Sequence, residues 1–99
     1  MAKLKFAEEA GRDLETLTDF LRETDVTAAI ETADLIIDAV SVLKRHPLIG
    51  RPVEYGYREL IISRGRTGYV ALYTYEEASD IVLSLAIRHQ RESGYWIEV

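Results

Sequence analysis

From position 3 to position 6 polar and apolar residues alternate (Lys3, Leu4, Lys5, Phe6), the period-two pattern of a short strand. The period then becomes helical. Ala7, Ala10, Leu14, Leu17 and Leu21 recur every three or four residues while Glu8, Arg12, Glu15, Asp19 and Arg22 fill the other side, which predicts an amphipathic helix of about four turns. Thr24 or Asp25 is placed to cap a second helix, in which Val26, Ile30, Ala33, Ile37 and Val40 repeat the spacing as far as Leu43 or Lys44. The join between them is short, so the two helices are expected to form an antiparallel hairpin.

Pro47 stops the second helix, and Leu48-Ile49-Gly50-Arg51-Pro52 makes a turn, after which the pattern becomes extended. Arg58 to Ser63, Gly68 to Tyr75 and Asp80 to Ile87 read as three strands, joined by links short enough for antiparallel hairpins. The predicted order is β-α-α-β-β-β. The fold class is therefore α+β: an N-terminal strand, an antiparallel helical hairpin, then a three-stranded antiparallel sheet with the helices on one face, in a single domain spanning residues 1–99.

Strand alternation divides the last two strands into faces. Ile81, Leu83, Leu85 and Ile87 form the bulkier set of the final strand and are expected under the helices, with Val82, Ser84, Ala86 and Arg88 facing outward. By the same rule Val70 and Leu72 join the core, and Tyr69, Ala71, Tyr73 and Tyr75 share the outer face with Arg88. Tyrosine and arginine dominate binding hot spots, so this face is expected to dock a partner; cross-strand aromatic packing on a half-exposed sheet is the alternative reading. Beyond Ile87 the apolar run gives way to Arg88-His89-Gln90-Arg91-Glu92-Ser93-Gly94-Tyr95-Trp96, which gathers cations and aromatics where the sheet ends. Scaffolds present residues to other molecules at such places.

Composition narrows the chemistry. The chain contains no cysteine and two histidines, His46 and His89, so disulfides and thiolate chemistry are excluded and neither a metal nor a cofactor is expected. Residues 1–38 carry ten acids against four bases, a balance of −6, and residues 39–99 carry seven against eight, a balance of +1. Sequence-independent binding to nucleic acid needs a broad basic surface, and direct sequence-specific DNA binding is not expected either. No apolar run reaches the roughly 18 residues of a membrane span, and the start lacks the apolar stretch of a secretion signal, so a cytoplasmic location is expected.

The order of elements, the turn Pro47-Leu48-Ile49-Gly50-Arg51-Pro52, the strand Gly68-Tyr69-Val70-Ala71-Leu72-Tyr73 and the ending Arg88-His89-Gln90-Arg91-Glu92 together resemble the RelE/ParE superfamily of bacterial toxins. The likeness covers nearly the whole chain. It implies the toxin of a type II toxin-antitoxin pair, silenced by a cognate antitoxin whose C-terminal segment wraps it, with growth inhibition and plasmid stabilisation as the associated roles. The ribonuclease branch of that superfamily cleaves messenger RNA on the ribosome without metal. Tyr95 matches the spacing of its C-terminal tyrosine, and His89 stands where it has an arginine, so these two would be the catalytic residues. However, the arginine expected after the tyrosine of the middle strand is Val70, and the preceding strand, Leu60-Ile61-Ile62-Ser63, lacks the expected lysines. The ParE branch instead inhibits DNA gyrase by contact, and an incomplete cation set with an acidic balance favours it. On that reading Arg58, Arg64, Arg66, Arg88, His89, Arg91, Tyr95 and Trp96 are assigned to target contact, and Tyr69, Tyr73 and Tyr75 to the antitoxin. A decayed toxin acting as a binding scaffold is the third reading.

Other polar residues have plainer readings. Arg51 is expected to meet a helix end or an acid across the fold, and Arg88 and Arg91 have Glu92 beside them as an internal partner. Glu31, Asp34 and Asp38 make a solvated helical stripe, and Arg64-Gly65-Arg66-Thr67-Gly68 a charged hairpin tip with no helix behind it to hold a phosphate.

Overall fold

The computed structural model describes residues 1–64 and 67–89. A strand β1 (Lys3–Phe6) leads into helices α1 (Glu8–Arg22) and α2 (Val26–Ser41), and a short 3-10 turn, Val42–Lys44, extends the second helix. Strands β2 (Arg51–Pro52), β3 (Arg58–Arg64), β4 (Thr67–Glu76) and β5 (Ile81–His89) follow. The expected order of elements and α+β class are observed, and β2 is an addition to them. The sheet is five-stranded, in the order β1-β5-β4-β3-β2, and mixed: β1 runs parallel to β5 while the other pairings are antiparallel.

Asp25 caps α2 as expected, its carboxylate accepting the Ala28 N–H at 3.1 Å. The buried face of α2 differs from the expected one. Val40 is buried as expected, but Val26, Ile30 and Ile37 are 56, 59 and 43 per cent exposed, whereas Ala29 and Ile36 are buried. The helix is apolar on more than one side, so two lines of residues satisfy helical spacing, and packing against the sheet selects the line that continues into Leu43.

The sheet faces also differ from the sequence reading, although Ile87 lies in the core as expected. Tyr69, Ala71, Tyr73, Val82 and Ile87 cluster with Ile36, Val40 and Leu43 in the core, and Tyr75 packs against them. Tyr69 and Tyr73 therefore do not lie on an open face, while Val70 and Leu72 are buried as expected but outside the cluster that meets α2. Leu72 of β4 pairs with Ala86 of β5 but Tyr73 pairs with Ser84, so Leu85 is the extra residue of a β-bulge in β5. The bulge shifts the alternation: Val82 and Ser84 face the helices before it and Ile87 after it, leaving Ile81, Leu83 and Leu85 half-buried.

A buried tyrosine needs a partner for its hydroxyl, and Tyr73 finds two in the turn between α2 and β2. Its Oη donates to the Pro47 carbonyl at 2.8 Å and accepts the Gly50 N–H at 2.9 Å. Arg58 completes the fastening, its Nη1 donating to the carbonyls of Gly50 at 2.8 Å and Leu48 at 3.1 Å. Gly50 has no room for a side chain, because a Cβ there would sit 2.5 Å from Tyr73 Oη, 2.6 Å from its Cε1 and 2.8 Å from the Glu59 carbonyl oxygen.

Two measurements follow from this geometry. Gly50→Ala should lower stability by about 1–3 kcal/mol through overpacking, and Tyr73→Phe by a similar amount through the orphaned Gly50 N–H and Pro47 carbonyl, both read as a shift in the urea midpoint. The Tyr73 hydroxyl is pushed above the ordinary tyrosine value by burial, against the opposing effects of the Gly50 N–H and the Arg58 charge. The hydrogen bond from Tyr75 to Asp80 raises that hydroxyl too. Since the fold holds these protons while the unfolded chain loses them near pH 10, this stabilisation is complete below about pH 10 and declines as pH rises further. Urea midpoints measured from about pH 9 to 11 should fall for the wild type and less steeply for Tyr73→Phe.

Candidate functional site at the end of the sheet

The antiparallel register brings the C-terminal ends of β3 and β5 and the start of β4 to one end of the sheet, with Ile62 beside Tyr69 and Tyr69 beside His89. The His89 ring meets Tyr69 edge to face, centroids 5.4 Å apart and planes at 79°. His89 thus caps the core-facing row of tyrosines. Arg64 closes β3 at this same end by its backbone position, while Arg66, Arg91, Tyr95 and Trp96 lie outside the described residues.

Arg88 is held by an acid the sequence reading did not single out. β1 runs beside β5 as far as the pairing of Phe6 with Ser84, and past that point α1 covers the β5 edge. There Asp13 does two things with one carboxylate. Its Oδ2 accepts the Ile87 N–H at 2.9 Å, and its Oδ1 lies 2.6 Å from Arg88 Nη1. Both side chains are largely removed from water, Asp13 being 13 per cent and Arg88 19 per cent exposed. A signal for Asp13 was present in the sequence: position 13 lies within the apolar stripe of Ala10, Leu14 and Leu17, where an acid must find a buried partner. Glu92, the partner expected for Arg88, lies outside the described residues.

Arg58, assigned to target contact, sits at the opposite end of β3 and is engaged by the Leu48 and Gly50 carbonyls, so it is a structural clamp. Arg51 pairs with Glu59, its cross-strand neighbour, as an acid across the fold was expected to do. Of the tyrosines assigned to a partner, Tyr69 and Tyr73 are buried, and Tyr75 is half-buried with its hydroxyl on Asp80 at 2.7 Å. Sequence alternation also missed the apolar exposure of the helical hairpin, where Thr18, Arg22, Ala29, Ile30, Ala33 and Asp34 line a cleft between α1 and α2. Among the described residues no group of three or more histidine or acidic side chains is arranged to hold a metal ion, and no helix is long and apolar enough to cross a membrane.

The family model of the ParE toxin of type II toxin-antitoxin systems matches residues 4–94, which takes in both helices and every strand described above but for Lys3 at the start of β1. The chain belongs to the ParE toxin family. Toxin RelE3 of Caulobacter vibrioides is 34 per cent identical over 92 residues, covering 93 per cent of this chain and 98 per cent of that one. In a solved structure of a chromosomal ParDE toxin-antitoxin system from P. aeruginosa, a chain 24 per cent identical superposes with a TM-score of 0.75, covering 89 per cent of this chain and 95 per cent of that one, a likeness of fold. A chain of the RelBE2 toxin-antitoxin complex of Mycobacterium tuberculosis is 26 per cent identical, with a TM-score of 0.55 over 90 per cent of this chain and 98 per cent of that one. This ParE family member is thus a toxin of the ParE/RelE type, built on a β-α-α-β-β-β frame with a mixed sheet.

The clamp role of Arg58 has a direct consequence. Arg58→Met should cost about 1–3 kcal/mol, because two turn carbonyls lose a charged donor. Toxicity should then fall no further than the folded fraction does, measured by urea unfolding alongside colony counts after induced expression.

Proposed function

We propose that this ParE family member arrests growth when released from its antitoxin and does so by binding DNA gyrase, without cutting RNA. The observation that carries this reading is the commitment of two of the strand arginines, Arg58 and Arg88, to partners inside the fold. Arg58 is spent on two turn carbonyls and Arg88 on the Asp13 carboxylate. Cleavage of a phosphodiester needs cations held where negative charge develops, and a guanidinium already neutralised by a carboxylate supplies less of that field. The positions of β3 and β4 where further cations would serve such a clamp are Leu60, Ile61, Ile62 and Val70. A surface that recognises another protein is under no such demand.

The antitoxin is a second protein of the same pair, as the toxin-antitoxin systems among the solved relatives support. Exposed apolar residues on the helical hairpin, Phe20, Val26, Ile30 and Ile37, agree with a chain that is normally covered. A ribosome-dependent ribonuclease is the second reading, favoured by the name of the Caulobacter relative and by His89 standing beside Tyr69 at the sheet end. On that reading His89, with Tyr95, would move the proton.

A paired assay tests the choice. Purified toxin should block supercoiling by gyrase and leave ribosome-bound message intact, and added antitoxin should restore supercoiling. Cleaved message with normal supercoiling would establish the ribonuclease instead. Antitoxin binding with neither effect would identify a scaffold that has lost its activity.

A further inference from the structure

We infer that Asp13 is a positioning residue for the target-contacting end of β5, acting through Arg88. The inference rests on the reading above that this end of the sheet meets the target. Edge strands with unpaired N–H groups are usually protected, and the fold could have protected this one with any acceptor. It uses a carboxylate whose second oxygen is 2.6 Å from Arg88 Nη1, in a place where the pair is four-fifths or more removed from water. Burying an ion pair is costly and is seldom the most stable solution to an edge, whereas it fixes geometry well.

The rigidity of the guanidinium makes that fixing effective. Its donors lie in one plane, so anchoring a terminal nitrogen, together with the covalent link through Nε, restricts the direction of the whole fork. Arg88 Nη1 also lies 3.3 Å from the Ile87 carbonyl, so the same nitrogen is tied to the strand that carries it. Asp13 in turn cannot swing away, since its other oxygen holds the Ile87 N–H at 2.9 Å and its backbone belongs to α1, a helix packed on β5. The strand end, the cation and the first helix thus form one unit. His89 follows directly on the same strand and stands on Tyr69.

The test compares Asp13→Asn with wild type and with Gly50→Ala, which destabilises the fold at a distance from this pair. An asparagine can still accept the Ile87 N–H but offers Arg88 no charge. Hydrogen exchange of the Ile87 amide and of the Arg88 guanidinium protons is read by NMR on the full chain, together with thermal melting and colony counts after induction. Expected is an Ile87 amide that stays protected, Arg88 protons that exchange faster than in wild type, and growth arrest weakened roughly tenfold or more, the size of a lost hydrogen bond to a charged group. Growth arrest should be weaker than that of Gly50→Ala at equal melting temperature, and Asp13→Glu should recover part of it. Full growth arrest by Asp13→Asn, or a loss no greater than that of Gly50→Ala at equal melting temperature, would overturn the positioning role. Arg88 protons that exchange in the wild type as in a free arginine would overturn it as well. If the wild type arrests no growth, the proposed function fails instead, and the Arg88 exchange rates in the two proteins still decide whether Asp13 holds this cation.

Discussion

The Tyr73 hydroxyl is the point on which the two halves of this protein depend. The helical hairpin and the sheet are joined by a turn that pairs with no central strand, and a turn of that kind has carbonyls and N–H groups to satisfy. Tyr73 reaches it from the middle of β4, through the core, accepting from Gly50 and donating to Pro47. Arg58 reaches the same turn from β3. None of these four bonds is large in net terms, about 0.5–3 kcal/mol each, but losing the Tyr73 hydroxyl would leave the buried Gly50 N–H without its partner. The turn sequence follows from this: the absent side chain of Gly50 makes space for the phenol, and Pro47 both ends the helix and offers its carbonyl.

That constraint explains why the tyrosines of β4 face inward. A tyrosine-rich strand beside an arginine looks like a binding surface, and on alternation alone Tyr69, Tyr73 and Tyr75 read as its exposed row. In the fold these rings supply the bulk beneath α2, and their hydroxyls fasten the periphery: Tyr73 to the turn, Tyr75 to Asp80 at the mouth of the β4–β5 hairpin. The buried phenols contribute apolar area and polar ties at once, which leucine could not.

Much of the architecture was legible. Helical spacing gave both helices, Asp25 was recognisable as a cap, Pro47 as a stop, and the three long strands were evident from their apolar runs. The faces were not, for two physical reasons. Both sides of β4 and β5 carry apolar residues, so alternation has no polar phase to anchor it, and the bulge at Leu85 reverses the phase part-way along β5. The α2 helix presents the same ambiguity in helical form, with Val26, Ile30 and Ile37 as regular in spacing as the buried Ala29, Ile36 and Val40. The sequence placed Arg88 and His89 at the sheet end, where the structure has them, whereas Asp13 was overlooked among ten acids in the first 38 residues. Its partner is far along the chain, and such a contact leaves no local pattern beyond an acid in an apolar stripe.

The distribution of charge gains meaning once these contacts are known. A chain with net charge −5 has few cations to spare, and its fold spends several of them internally. Arg51 neutralises the buried Glu59, Arg58 serves two carbonyls, and Arg88 meets Asp13. A scaffold that spends its guanidinium groups this way gains fixed geometry at its strand ends and gives up electrostatic reach, since each paired charge attracts a distant polyanion less. Recognition on such terms depends on shape and short-range complementarity. It suits a folded protein surface, which can match a fixed outline, better than a ribosomal RNA, whose capture begins with long-range attraction to phosphate.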